Sequence, residues 1–512
     1  VATNAAGRRL CQNPMRDNMI DERGHQMSER SERLRPRDLA ILAAESPSTP
    51  MHNATVEVFD PGDSGFDHDR LVDLIADRIA FVPRYRQRLQ LVPGRLANPA
   101  WVDDENFDLG FHVRRSALPR PGSMDQLREL VARIASRPLD RSRPLWECYF
   151  VEGLEGGRVA LLVKSHQILV DGRETVDIGQ VLLDTSPDRS TLGHDDEWRP
   201  RRTPGPVAAA LDAVTDSLES PRTLWSTTRA NAEALGRQAS TTGARFAEVA
   251  NALAGRGPVH STPVHRRLSQ QRRFIALRTE LADYRGIREV HGGTVNDVIL
   301  ATLAGGLRGW LMTRAESMGG LRTIKAIVPM SVIDDELEAT SLGSQVKGHL
   351  VHLPINEPSP VVRLHQVSYD LKAHRDDGRA VSARRLSGIS GFAPTTFHAL
   401  GSRVAAAELR HGFHVSITNV PGPQFPLYAD GARMLESYPV HPLLPDHPLA
   451  IGVTSYDGGV FYGITADRDA VPDADTLGQC VLEALDELKD SASDTRPRAP
   501  RGKSGSGRKA RT

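Results

Sequence analysis

His166 is the residue whose type and setting most clearly could do chemistry. It closes an apolar run and stands five residues before Asp171-Gly172, in the segment RVALLVKSHQILVDG at 158–172. Imidazole titrates near neutral pH without large perturbation, so a histidine that a buried strand delivers to a turn is a candidate general base. The competing account is a structural histidine satisfied by its neighbours. Asp171 can orient the ring or brace the loop through an arginine, and Gly172 can let a ligand approach the backbone closely. Asp-Gly is also an ordinary turn pair. Next to His166 stands Gln167, an amide with no titratable group near neutral pH.

Two places further along carry polar groups suited to stabilising negative charge. Asn296, followed by Asp297, falls in the first turn of a helix opened by Thr294. Backbone N–H groups and an amide there can receive a developing oxyanion, and simple capping is the alternative. Along 415–420, strand alternation puts Ser416 and Thr418 on one face as a row of small donors. Asn419 then leads into Val420-Pro421-Gly422-Pro423, whose Pro-Gly pair suits a type II turn. Earlier, Arg143-Pro144-Leu145-Trp146 marks a fixed strand entry with an aromatic anchor.

These residues need rigid carriers. Alternation along Val159–His166 puts Ala160, Leu162, Lys164 and His166 on one face and apolar residues on the other as well. That pattern predicts a central strand buried on both sides. Around it the sequence predicts strands at Ala54–Phe59 and Trp146–Val151 and a helix from about Asp67. A second helix starts at Ser123, where Gln126 completes a capping box and Pro138 ends the run. In the second half, Phe274–Leu277, Thr323–Val328, His349–Leu353, Val415–Val420, Leu449–Val453 and Val460–Ile464 read as strands. Helices are expected from Thr294, with Asp297 in its capping box, and from Ser359-Pro360. The expected organisation is a disordered extension over 1–35, an α/β unit over 36–195 and a helical connector over 196–269. A second α/β unit follows over 270–490, and a basic disordered tail over 491–512.

Composition narrows the partners. Lysine plus arginine equals aspartate plus glutamate at 64 each, so no global field draws the chain to nucleic acid. Three cysteines, Cys11, Cys148 and Cys480, are too few and scattered for a disulfide framework or a zinc site. A reducing cytosol is the expectation. No stretch reaches the length of apolar residues that a membrane span requires, and the first residues lack the apolar core of a signal peptide.

Taken in order, these segments resemble the bacterial wax ester synthase/diacylglycerol acyltransferase family, especially its actinobacterial members. The points of likeness are Thr49-Pro50-Met51-His52, Pro83-Arg84-Tyr85-Arg86, Pro144-Leu145-Trp146, His166 with Asp171-Gly172, Asn296 to Leu300 and Thr418 to Pro423, spread over roughly 40–485. The resemblance implies two α/β domains like those of CoA-dependent acyltransferases (chloramphenicol acetyltransferase-like), meeting across a tunnel with the histidine motif at its centre. It also implies acyl transfer from acyl-CoA to a diacylglycerol or a fatty alcohol, without a metal, a resident cofactor or a covalent enzyme intermediate. Contact with a membrane or lipid droplet would be peripheral. The site residues it implies are His166 as base, Asp171 and Gly172 in its loop, and Asn296, Ser416, Thr418 and Asn419 as oxyanion or substrate donors. The family motif reads His-His-x-x-x-Asp-Gly with the second histidine taken as the base. Gln167 holds that second position. The alternative is therefore a catalytically weak protein that binds acyl-CoA or neutral lipid.

Overall fold

The computed structural model describes residues 32–92, 98–170, 175–189, 198–203, 205, 263–314, 323–331, 346–376, 394–407 and 412–494. Residues 1–31 of the expected extension, 495–512 of the expected tail and most of the expected connector lie outside these residues, as do Asp171 and Gly172, whereas Leu34 is buried in the core and the last helix runs on to Asp494, so the expected disorder does not hold at 32–35 and 491–494. In the first half run α1 (Pro36–Ala44), β1 (His52–Asp60), α2 (His68–Arg78), β2 (Gln87–Gln90), β3 (Ala100–Asp103), α3 (Leu109–His112), β4 (Val113–Ala117), α4 (Met124–Ala135), β5 (Trp146–Glu152), β6 (Val159–His166) and α5 (Ile178–Val181). In the second run β7 (Arg272–Glu280), α6 (Leu281–His291), α7 (Val295–Thr313), β8 (Ile324–Ser331), β9 (Val346–Leu353), α8 (Pro360–Asp376), α9 (Pro394–Ala407), β10 (Val415–Pro421), β11 (Tyr428–Ala429), β12 (Ala432–Val440), β13 (Leu449–Tyr456), β14 (Gly459–Asp467) and α10 (Ala474–Asp494).

Local chemistry starts the helices where the sequence predicts. At α4 the Ser123 hydroxyl accepts from Gln126 N, and the Gln126 side chain accepts from Ser123 N at 2.9 Å. At α7 Thr294 and Asp297 make the same reciprocal pair, at 3.2 and 3.0 Å. Each box satisfies backbone donors that a helix start leaves without partners. The strands form two six-stranded mixed sheets and a two-stranded ribbon. Sheet one has the order β11-β12-β1-β6-β5-β4, and sheet two β7-β14-β13-β10-β8-β9. All eight residues of β6 are buried, as apolar patterning on both faces requires.

Sheet one is not built from the first half alone. Strands β11 and β12 lie within 270–490, yet β12 pairs antiparallel with β1 in the register Ala54 to Val440. No local pattern in the sequence predicts this exchange. The chain leaving β12 crosses sheet two at two glycines that face each other in the β13–β14 ladder, Gly452 and Gly463. A Cβ on Gly463 would overlap Pro439 O, and one on Gly452 would lie 2.6 Å from both Pro439 Cβ and His441 Nε2. The missing side chains are what let the halves meet. Helix α9 sits in the same seam and packs on β1 of sheet one and on β8, β9 and β10 of sheet two. Among the described residues no helix is long and apolar enough to cross a membrane.

Candidate active site

β6 carries His166 to the seam directly opposite His52 of β1. Directly opposed residues share a face, and this face turns toward the end of α4. There His52 Nε2 lies 2.9 Å from Ala135 O, and Lys164 Nζ donates to Ile134 O and Arg137 O at 3.2 and 2.6 Å. Burial pulls the Lys164 amine down to about 8. Burial, and next the charge of Lys164, hold the His52 ring well below the usual range.

Of the two nitrogens of His166, only Nδ1 has a hydrogen-bond partner among the described residues. Nδ1 accepts from Ile168 N–H at 3.2 Å, and Nε2 lies 3.5 Å from Glu45 Oε2, an ion-pair distance rather than a short hydrogen bond. With Nδ1 accepting, the neutral ring carries its proton on Nε2. Arg141 Nε donates to the same Glu45 oxygen at 3.0 Å. Burial raises the Glu45 carboxyl, yet His166 and then Arg141 outweigh it and hold it at about 2. For His166 to accept a proton from a substrate, it must first give up the Ile168 N–H.

The opposite face of β6 presents Ser165, whose hydroxyl donates to Asp177 Oδ2 at 3.0 Å. Asp177 caps α5 through Gly179 N at 2.9 Å, and its own N–H donates to Thr396 of α9 at 2.9 Å. Burial pushes the Asp177 carboxyl up. Glu57, on the same face of β1, rises to about 8 through burial and then the charge of Asp177.

Gln167 bridges the two halves through its backbone. Its N–H donates to Met51 O at 3.0 Å, and its carbonyl accepts from Arg403 Nη1 of α9 at 2.7 Å. Arg403 also donates to Val170 O at 3.1 Å and pairs with Asp38 of α1. An arginine therefore braces the segment that leads to Asp171 and Gly172. The Gln167 side chain is fully buried, and neither amide atom has a partner among the described residues.

Asn419 of β10 meets Asn296 in the first turn of α7, with Asn419 Nδ2 donating to Asn296 Oδ1 at 2.7 Å. Ser416 and Thr418 are buried on β10. The Thr418 hydroxyl contacts His398 Nδ1 of α9 at 2.9 Å and His441 Nε2, and His441 Nδ1 lies 2.7 Å from Ser402 Oγ. Among the described residues no hydrogen bond or ion pair joins His166 to Asn296, Ser416, Thr418 or Asn419. Sequence reasoning misses Glu45, His398, Ser402, Arg403 and His441. None of them stands in a recognisable local motif, and their main partners come from distant parts of the chain.

The comparisons with known proteins agree with this architecture. Residues 34–299 match the wax ester synthase/diacylglycerol acyltransferase catalytic domain, and residues 342–489 match the C-terminal domain of the same family. A probable diacylglycerol O-acyltransferase of Mycobacterium tuberculosis, tgs1, is 31% identical over 430 residues, covering 82% of this chain and 88% of the relative. A second from that organism, tgs3, is 40% identical over 259 residues, which is 50% of this chain and 95% of the relative. Among solved structures, a wax ester synthase/diacylglycerol acyltransferase from Marinobacter aquaeolei has a TM-score of 0.61 at 25% identity, covering 90% of this chain and 100% of that one. A condensation domain of the calcium-dependent antibiotic synthetase, 14% identical with a TM-score of 0.51, covers 91% of this chain and 97% of its own and shares the fold.

Proposed function

The chain belongs to the wax ester synthase/diacylglycerol acyltransferase family, and we propose that it moves a long-chain acyl group from acyl-CoA to the free hydroxyl of a diacylglycerol. The observation that carries this reading is end-to-end likeness to proteins named for that activity.

In this reaction the hydroxyl oxygen attacks the thioester carbon. A C–O bond forms, the C–S bond breaks, and the hydroxyl proton ends on the CoA sulfur. Catalysis needs a proton acceptor, donors for the tetrahedral oxyanion, and a scaffold that holds both substrates together. Acyl-CoA enters as a co-substrate rather than a resident cofactor, and no acyl-enzyme is required. The Asn296–Asn419 pair supports the oxyanion assignment. Its mutual hydrogen bond fixes both amides and leaves Asn296 Nδ2 to donate elsewhere.

The test is release of free CoA from palmitoyl-CoA with dioleoylglycerol, with hexadecanol and with no acceptor. Diacylglycerol-dependent release, with triacylglycerol as the product, is expected. A preference for hexadecanol moves the reading to wax ester synthesis. The departure from the family motif at Gln167 gives a second reading, in which the chain binds acyl-CoA or neutral lipid without turnover. Wild type that releases no CoA, with activity gained in Gln167→His, favours that one.

A water-insoluble acceptor places the working protein at a lipid–water boundary by peripheral contact. Flotation with vesicles containing diacylglycerol tests this, and protein that stays at the bottom of the gradient at low and moderate salt argues against it.

A further inference from the structure

Where β1 begins and β6 ends, two buried amides stand without partners. Asn53 is opposite Ser165 in the β1–β6 ladder, and Gln167 N–H extends that ladder by one step to Met51 O. Side chains alternate along a strand, so Asn53, Ser165 and Gln167 share one face, and His52 and His166 the other. Asn53 and Gln167 are therefore diagonal neighbours across the ladder, a spacing of about 7–8 Å. Asn53 is 6% exposed and Gln167 0%. Neither amide bonds to the other, and the oxygen and nitrogen of both side chains lack partners among the described residues.

Helix α9 covers this face. Thr396 accepts from Asp177 N, the residue that receives the Ser165 hydroxyl, and Arg403 holds the carbonyl of Gln167. Residues three and four apart line one side of a helix, so Ala399 stands between these two anchors. It is buried, and its methyl is the least bulk that a residue other than glycine can set over the amides. A cleft of about 260 Å³ brings open space to Ile168 and Leu169, the two residues that follow Gln167. Buried polar groups are nearly always paired in native proteins. Two neighbouring amides, each with a donor and an acceptor, fit a ligand that presents a hydroxyl and a carbonyl together.

Resting on the acyl-transfer reading, we propose that Asn53 and Gln167 clamp the glyceride head of the acceptor and set a preference for diacylglycerol over a fatty alcohol. Gln167, beside His166 in the motif, accepts the free hydroxyl at Oε1. Asn53 Nδ2 donates to the carbonyl of the ester on the neighbouring glycerol carbon. The two oxygens stand on adjacent carbons, within the span of two amides that are diagonal neighbours. A fatty alcohol offers the hydroxyl alone and leaves Asn53 unpaired, which is the condition under which a polar site rejects a substrate. An amide has no group that titrates near neutral pH, so both are positioning residues and the proton acceptor is a separate group.

The experiment compares dioleoylglycerol with dioleylglycerol, the ether analogue that keeps the hydroxyl and both chains and lacks the ester carbonyls. Acceptor-dependent CoA release from palmitoyl-CoA is measured with each, and with hexadecanol, for full-length wild type, Asn53→Leu and Gln167→Met, together with melting temperatures. Wild type is expected to use the ether with a kcat/KM about tenfold below that for the ester. Asn53→Leu keeps the branched shape without polar atoms. It should lose about tenfold on the ester, treat ester and ether alike, and keep its rate with hexadecanol and its KM for palmitoyl-CoA. Its melting temperature should hold or rise, because a buried amide without a partner is removed, whereas a purely structural Asn53 would lower it. Gln167→Met should lower all three acceptors together. Wild type that uses ester and ether equally overturns the clamp and leaves the acyl-transfer reading intact, whether or not the variants fold. A folded Asn53→Leu that still favours the ester overturns it too, and the smaller Asn53→Ser carries the same comparison if Asn53→Leu does not fold. Wild type without release from any acceptor overturns both.

Discussion

At the scale of single residues, what a group can do here is set by what already holds it. His166 holds the first position of the histidine motif, and Ile168 N–H already occupies its Nδ1 while Glu45 stands at ion-pair distance from its Nε2. Glu57 makes a prediction of its own. Its carboxyl is raised from 4.5 to about 8 by burial and by Asp177. The folded state therefore keeps a proton over a window in which the unfolded chain has lost it. That contribution is full below about pH 4.5 and is lost as pH rises through about 8. Glu57→Gln removes the titration, so its melting temperature should fall less than that of wild type between pH 5 and 8. Parallel melting curves for the two proteins would refute the raised carboxyl. His166, Gln167 and the two asparagines were legible in the sequence, because strand ends and helix starts leave local signatures. Arg403 was not, since the carbonyl it braces is 236 residues away, and no local pattern encodes such a pairing.

At the scale of elements, the helix starts and most sheet strands were legible because capping boxes and apolar alternation are local. β12 and α9 were not. The sequence of β12, ARMLESYPV, breaks alternation and contains Pro439, which normally argues against an inner strand. α9, PTTFHALGSRVAAA, packs on elements of both sheets, so it lacks the polar stripe that reveals a surface helix. Two predictions belong here. Gly463→Ala drives a methyl into Pro439 O, and overpacking of this kind costs about 1–3 kcal/mol or more. A lower melting temperature is expected, and an unchanged one would mean that β12 and β14 are not so closely apposed. Arg403→Met leaves Asp38 and two backbone carbonyls without their donor. Hydrogen bonds to a charged group are each worth about 1.5–3 kcal/mol, so a loss of that order is expected in chemical denaturation. The segment after Gln167 should also become more sensitive to protease, and an unaltered cleavage pattern would count against the brace.

At the scale of the molecule, the two α/β halves share strands, a helix and a seam. The expected unit over 36–195 lacks the β11–β12 edge of its own sheet. A fragment of residues 32–269 should therefore melt without a cooperative transition, whereas the full chain melts sharply. A sharp transition in the fragment would show that sheet one closes without β12. The two-part plan was legible because each half has its own run of alternating strands. The exchange between the halves was not, because sequence order carries no record of which edge a late strand will choose.

The same exchange governs how the protein can be born. A ribosome releases β1 long before β12, and at about 5–20 residues per second the stretch from Asp60 to Val440 takes on the order of half a minute to synthesise. Throughout that interval one edge of β1 has no hydrogen-bonding partner, and unpaired strand edges invite association between nascent chains. Productive folding must therefore be largely post-translational, and the nascent first half is a natural client for a chaperone that shields strand edges until the last hundred residues emerge.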